Sequence, residues 1–240
     1  MQVFVASNMP TAYPYKLQKP STVNDRVINT ADVFIMDSGI GDEVSNQEVL
    51  DLAMQYDADY VVPKDELHDF ETTTENVEAF WELHKESECE ATVLIPVQCD
   101  PATDSWHTDH LQTLPEHSHY VLGGMAVDEV STTEQIKSIK RFREHVGPDK
   151  YVHGLGVGGG MEFVSKVAGT NWLDSVDCAT PEMAGQFGCV LDERLRQQQV
   201  RVMNGEGASK RNIPLSEFNS FQLQDVWERE AQDTGLTSWQ

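Results

Sequence analysis

A chain of 240 residues suits one α/β barrel, for which about 250 residues is typical, or two small domains. Its hydrophobic fraction of 39% can fill a core, which excludes a largely disordered chain. Forty Asp and Glu face 17 Lys and Arg, a formal net charge of -23 spread over the chain without one long acidic run. Such acidity suits concentrated salt, where the Debye length falls to about 3 Å, so a halophilic source is expected. In such salt the charge says little against a nucleic-acid partner. Cys89, Cys99, Cys178 and Cys189 form no Cys-x-x-Cys pair. No apolar run reaches membrane-spanning length, and Met1-Gln2-Val3-Phe4 leads straight into a strand pattern. Reduced thiols, a cytoplasmic location and no membrane contact are expected, with Cys178 a packing residue.

In chain order, β-rich segments fall at 2–6, 33–36, 58–62, 92–97, 119–122, 151–155, 172–176 and 200–203. Helical spacing appears between them. Residues 46–56 carry Val49, Leu50, Ala53 and Met54, and 74–85 carry Val77, Phe80, Trp81 and His84. Residues 131–146 open on the capping-box pattern Ser131-Thr132-Thr133-Glu134 and space Ile136, Ile139, Lys140 and Phe142 helically. Helices are also expected over 160–167 and 182–199. Alternating strands and helices with short connections predict a parallel sheet, and eight units predict an α/β fold of the (β/α)8 TIM-barrel type. An open doubly wound sheet is the second reading. The barrel is expected over 1–211. Residues 212–240, with Phe218, Phe221, Leu223 and Trp227, are expected to form a docked amphipathic segment with a frayed end.

The carboxyl ends of these strands carry an unusual set of groups. After 33–36 comes Asp37-Ser38-Gly39, after 58–62 comes Pro63-Lys64-Asp65, and after the fourth strand comes Gln98-Cys99-Asp100. Gly123-Gly124-Met125 and the loop containing Gly156, Gly158 and Gly159 follow, and Val176-Asp177-Cys178 ends the seventh. Strand carboxyl ends are where α/β enzymes do their chemistry, although Asp after a strand is also turn chemistry. The glycine loop suits either phosphate binding or a tight turn. His107, His110, His117 and His119 cluster without helical spacing, and no metal site is expected there. Ten basic residues fall in two stretches: Lys137, Lys140, Arg141, Arg143 and Lys150, then Arg194, Arg196, Arg201, Lys210 and Arg211. The second stretch is the candidate for phosphate contacts.

Taken together, Asp37-Ser38-Gly39, Asp65 after Val61-Val62-Pro63, Pro96-Val97-Gln98, Leu122-Gly123-Gly124 and Val176-Asp177-Cys178 with Pro181 resemble the tRNA-guanine transglycosylase superfamily. The resemblance runs from about Val33 to Gly188 and is strongest to its compact DNA-directed members, which insert 7-deazaguanines into viral or bacterial DNA. It implies Asp177 as nucleophile and Asp37 as general acid and base. Asp65, Gln98, Gly123 and Gly124 would read the base, with Ser38, Met125 and Gly156 beside it. It implies DNA as partner, tRNA as the alternative, a 7-deazaguanine base as small substrate, and leaves a homodimer open. A viral or mobile-element protein would then work in the host cytoplasm.

Three departures matter. Asp37-Ser38-Gly39-Ile40-Gly41 stands where the family has Asp-Ser-Gly-Gly-Phe. Only Cys189 follows Cys178 and no histidine follows His153, so a barrel trimmed of the usual zinc subdomain, with no cofactor, is expected. Glu182-Met183 replaces an arginine after the proline. A catalytically silent binding subunit and a small-molecule barrel enzyme are the rival classes, the first disfavoured by the presence of both Asp37 and Asp177.

Overall fold

The computed structural model describes residues 1–39, 41, 43–67, 69–100, 105–106, 119–125, 130–200 and 212–237. Nine parallel strands wrap into a barrel. They are β1 (Gln2–Ala6), β2 (Tyr15–Gln18), β3 (Val33–Met36), β4 (Tyr60–Val61), β5 (Thr92–Val93), β6 (Ile95–Asp100), β8 (His119–Gly123), β9 (Tyr151–Gly154) and β10 (Ser175–Cys178). Their order is β5-β4-β3-β2-β1-β10-β9-β8-β6, and β7 (Ser105–Trp106) adds to β6 antiparallel. Only Leu94 separates β5 from β6. Because β5 pairs with β4 and β6 with β8, the chain itself closes the ring into eight staves. The expected (β/α)8 barrel is therefore the architecture.

The crossovers are uneven. None of the described residues between β1 and β2 is helical, and α1 (Asp25–Ile28) is a single turn. α2 (Asn46–Gln55), α3 (Phe70–Glu86), α4 (Thr132–Val146) and α5 (Met161–Val167) are longer and bury one stripe each. Ser45 and Ser131 close reciprocal capping boxes with Glu48 and Glu134, satisfying amides that a helix start leaves unpaired.

One expectation is corrected. The segment 182–199 is not one helix: α6 (Thr180–Gln186) stops before Gly188, whose φ of 71° suits glycine, and a hairpin of β11 (Cys189–Leu191) and β12 (Gln197–Gln199) follows. The expected strand at 200–203 lies, but for Val200, outside the described residues, and among the described ones the eighth stave is β2, whose alternation is hidden by a buried lysine. Lys16 is fully buried and donates from Nζ to Thr11 O at 2.7 Å, to Val27 O at 3.2 Å and to Thr30 Oγ1. Burial lowers its pKa to about 8.

Period-two alternation sorts the side chains. Phe4, Leu17, Ile35, Val62, Leu94 and Val121 fill the barrel interior, while Val3, Phe34, Met36, Val61 and Leu122 face the helices. The amino-terminal end is plugged by rings, with Tyr60 stacked on Tyr151 at 5.7 Å and His119 at 5.2 Å from Tyr151. A clasp spans α4 and the strand ends. Buried Arg143 reaches Asp174 at 2.7 Å and the carbonyls of Trp172 and Lys150 at 3.0 and 2.5 Å. Arg143, alone of the first basic stretch in being buried, is thus engaged within the fold.

α7 (Ile213–Thr237) lies against α6, β11 and the barrel. It buries Leu223, Val226 and Trp227, and leaves Phe218 and Phe221 exposed. Trp227 donates to Gly158 O at 3.2 Å, and Asn219 bridges Leu191 N, Pro181 O and Cys189 O. Among the described residues no helix is long and apolar enough to cross a membrane. The α6–α7 contact is tightest at Gly185, where a Cβ would fall 2.2 Å from Ser216 Oγ and 2.6 Å from its amide nitrogen. Gly185→Ala should therefore destabilise the protein by about 1–3 kcal/mol in denaturant titrations. Gly160→Ala, whose Cβ would meet nothing within 4 Å, should change stability by about 1 kcal/mol or less.

Candidate active site

The alternation that fills the interior also builds the site one layer higher. Two residues beyond Ile35 comes Asp37, beyond Pro96 comes Gln98, beyond Val121 comes Gly123 and beyond Ser175 comes Asp177. Each polar group thus stands above an inward-facing residue at the carboxyl end of its strand. Asp37 and Asp177 line one cavity of about 360 Å³, shared with Ser7, Asn8, Leu17, Lys19, Leu155 and Gly156.

Asp177 is held firmly by one oxygen. Its Oδ1 accepts from the Gly156 amide at 2.8 Å and lies 3.1 Å from His153 Nε2. Gly156 has φ of 68°, the left-handed turn that presents its amide to the carboxylate. His153 Nδ1 lies 2.7 Å from Ser175 Oγ, which is itself 2.5 Å from the Tyr151 hydroxyl.

Asp37 is placed differently. Burial, reinforced by the charges of Asp65 and Asp177, raises its pKa to about 8 against the opposing Gly39 amide and Lys19. Its buried Oδ1 has no hydrogen-bond partner. Asp65 is raised to about 6, chiefly by burial. Gln98 Nε2 donates to Asp65 Oδ2, leaving Asp65 Oδ1 and Gln98 Oε1 buried and unpaired. A Cβ on Gly123 would fall 2.8 Å from Gln98 Nε2, and one on Gly124 would fall 3.0 Å from Gln98 Oε1 and from Cys99 O. The glycines are what let this amide lie flat beside the backbone. Three unpaired buried acceptors at one mouth call for a donor-rich ligand.

The other candidates are scattered more widely. Ser38 is buried and donates to Pro63 O at 3.1 Å, joining the ends of β3 and β4. Met125 is buried in the cluster that faces the helices, its carbonyl accepting from Gln135 at 2.8 Å. Arg194 and Arg196 lie on the β11–β12 turn, where Arg196 pairs with Asp192 at 2.7 Å and helps hold that carboxyl below its ordinary range. Arg201, Lys210 and Arg211 lie outside the described residues, as do His107, His110 and His117. His119 belongs to the ring plug at the opposite end. Cys178 is buried, its thiol pushed up to about 12 by burial and the adjacent Asp177 charge.

Three site residues escape a reading by strand ends alone: His153, Ser175 and Glu182. The first two were legible as Tyr-x-His and Ser-x-Asp, polar residues in register on the inward face of adjacent strands. Glu182 is buried and accepts from Ser7 Oγ at 2.6 Å and Asn8 N at 2.7 Å, fixing one wall of the cavity. Among the described residues no three His, Cys, Asp or Glu side chains are grouped to take a metal ion. Cys189, the one cysteine after Cys178, turns its thiol to Phe187 O at 3.8 Å. These donors do not fit a four-ligand zinc centre.

A parallel barrel thus gathers buried carboxyls and unpaired acceptors at its carboxyl mouth, the face on which barrel enzymes carry their sites. The model of the queuine tRNA-ribosyltransferase family matches residues 16–218, and the chain belongs to that family. Members of that family are transglycosylases that act on guanine-type bases in nucleic acid. No curated protein matches the chain.

The raised carboxyls fix the sign of a pH effect. With folded-state values near 8 for Asp37 and near 6 for Asp65, against about 3.9 for an unfolded Asp, the folded protein binds more protons between those limits. Its stability should fall as pH rises from about 4 to about 8. Asp37→Asn, which removes the ionisation, should be more stable than wild type at pH 8 by on the order of 1 kcal/mol or more, and should flatten that decline. A less stable variant at pH 8 in denaturant titrations would contradict the burial argument.

Proposed function

We propose that this protein exchanges guanine in DNA for a 7-deazaguanine, such as 7-cyano-7-deazaguanine, through a covalent glycosyl-enzyme. The observation that carries the reading is the sharing of one cavity by Asp177 and by an Asp37 whose proton is retained to about pH 8. Two carboxyls in different environments divide nucleophile from acid. Asp177 attacks the anomeric carbon, the C1′–N9 bond breaks, and Asp37 gives its proton to the departing guanine. The incoming deazaguanine then yields its N9 proton to Asp37 and attacks C1′ as the Asp177–sugar bond breaks. Two inversions retain configuration, and neither step calls for a metal or organic cofactor.

Asp65 Oδ1 and Gln98 Oε1 suit the ring N–H and exocyclic amine of the base, the second N–H of Gln98 suits its carbonyl, and Gly123 and Gly124 allow close approach. Ser38 would steady the Asp37 loop. The target nucleotide must leave its stack to reach Asp177. Arg194, Arg196, Arg201, Lys210 and Arg211 would meet phosphates, Arg196 exchanging Asp192 for one of them.

The DNA reading rests on the resemblance to the compact DNA-directed members; Glu182, which stands where the family pattern has an arginine, is spent on Ser7 and Asn8 and offers neither polymer a phosphate contact. The family's description favours tRNA as the second reading. Labelled guanine offered with DNA or tRNA in concentrated salt distinguishes them. Label should enter DNA, and Asp177→Ala should lose incorporation by about 10³-fold or more along with any covalent adduct. Label confined to tRNA moves the protein to the second reading, and label in neither polymer defeats base exchange. The net charge of -23 carries the saline setting. The melting temperature should rise as KCl goes from about 0.1 M to about 2 M, and a fall would remove that setting.

A further inference from the structure

The proposed chemistry leaves one buried imidazole unexplained. His153 is fully buried on the inward face of β9, its ring edge-on to Phe4 at 5.7 Å. Packing alone would be served by an apolar side chain, yet both ring nitrogens are engaged. A carboxylate oxygen can only accept, so the hydrogen between His153 and Asp177 belongs to Nε2. In the neutral ring Nδ1 is then an acceptor, and Ser175 Oγ, 2.7 Å away, donates to it. The Tyr151 hydroxyl in turn donates to Ser175 Oγ at 2.5 Å. Burial keeps the proton on the Tyr151 phenol. The hydrogen bonds therefore run in one direction, from Tyr151 through Ser175 and His153 to Asp177.

At the far end, His153 and the Gly156 amide converge on the same oxygen of Asp177. We propose that His153, set in its tautomer by Ser175 and Tyr151, is the positioning residue of the nucleophile: it ties down Oδ1 so that Oδ2 alone is offered to the anomeric carbon. The proposal rests on the reading of Asp177 as nucleophile. When the sugar ester forms at Oδ2, Oδ1 becomes a carbonyl oxygen and its two hydrogen bonds weaken. When the C1′–O bond breaks, negative charge returns to the carboxylate and the bonds strengthen. His153 thus assists departure of the carboxylate in the second displacement.

Three variants test this: His153→Met, which fills the space without a donor, His153→Gln, whose amide can still donate to Asp177 Oδ1, and Ser175→Ala, which frees the tautomer. His153→Met should lower kcat by about 10²-fold with KM for guanine changed by less than about threefold, and should accumulate covalent adduct. His153→Gln should recover about tenfold of that loss, and Ser175→Ala should lose about tenfold. The proposal is overturned if folded His153→Met keeps kcat within about threefold of wild type. It is equally overturned if His153→Gln, once folded, is no better. Should His153→Met fail to fold, His153→Gln and Ser175→Ala carry the comparison.

Ring-nitrogen NMR of His153 gives a readout separate from turnover. Wild type should show a protonated Nε2 and bare Nδ1, and Ser175→Ala a tautomer mixture. The reverse tautomer in wild type overturns the relay even in a fully active enzyme. A wild type inactive on both polymers but with the expected tautomer defeats base exchange, and with it the positioning role, while the relay itself stands.

Discussion

Three carboxyl groups held out of water at one end of a barrel constrain everything built around them. Buried like charges repel and lose hydration together, so they cannot all ionise at neutral pH. The conflict is resolved by position: Asp37 keeps its proton, Asp65 takes an amide hydrogen from Gln98, and Asp177 takes two N–H bonds on one oxygen. What remains are acceptors without donors. A folded protein tolerates such groups where a ligand will later satisfy them, and the stability forgone there is the reason the site is ready before a ligand arrives.

Holding these groups still falls to parts of the chain far from them. α7 anchors Trp227 to the carbonyl of Gly158. Gly158 itself lies so close to Val176 that a Cβ would come within 2.9 Å of it. The same loop turns the Gly156 amide onto Asp177. On the opposite wall, Glu182 reaches from α6 to the turn after β1 and closes the cavity. A helix near the chain's carboxyl end and a strand at its beginning thus share control of one carboxylate. Beneath them the stacked tyrosines and the Arg143–Asp174 clasp keep the staves from shearing.

Under the proposed function the phosphate contacts are where charge matches the family pattern least: Glu182 is turned onto Ser7, and Arg196 is engaged with Asp192. The surface as a whole repels phosphate at low salt. On the proposed function, association with a polynucleotide would depend on counterions screening that repulsion, with discrimination left to the hydrogen bonds inside the cavity.

Local regularities determined a large part of this protein. Strand and helix periods, capping boxes and the order of strand-end carboxylates are properties of neighbouring residues, so Asp37, Asp65, Gln98 and Asp177 were legible with the barrel itself. Other features depended on closure of the ring. β2 hides behind Lys16, whose burial becomes tolerable only when Thr11, Val27 and Thr30 surround it. The stretch after Gln186 has helix-forming residues, yet it forms a hairpin that packs beside α7. The bond between His153 and Asp177 joins residues 24 apart, brought into register by parallel pairing of β9 and β10. The proton on Asp37 is likewise a tertiary property. A carboxyl's affinity for protons follows the water and charges around it, and those neighbours exist only after the chain has folded.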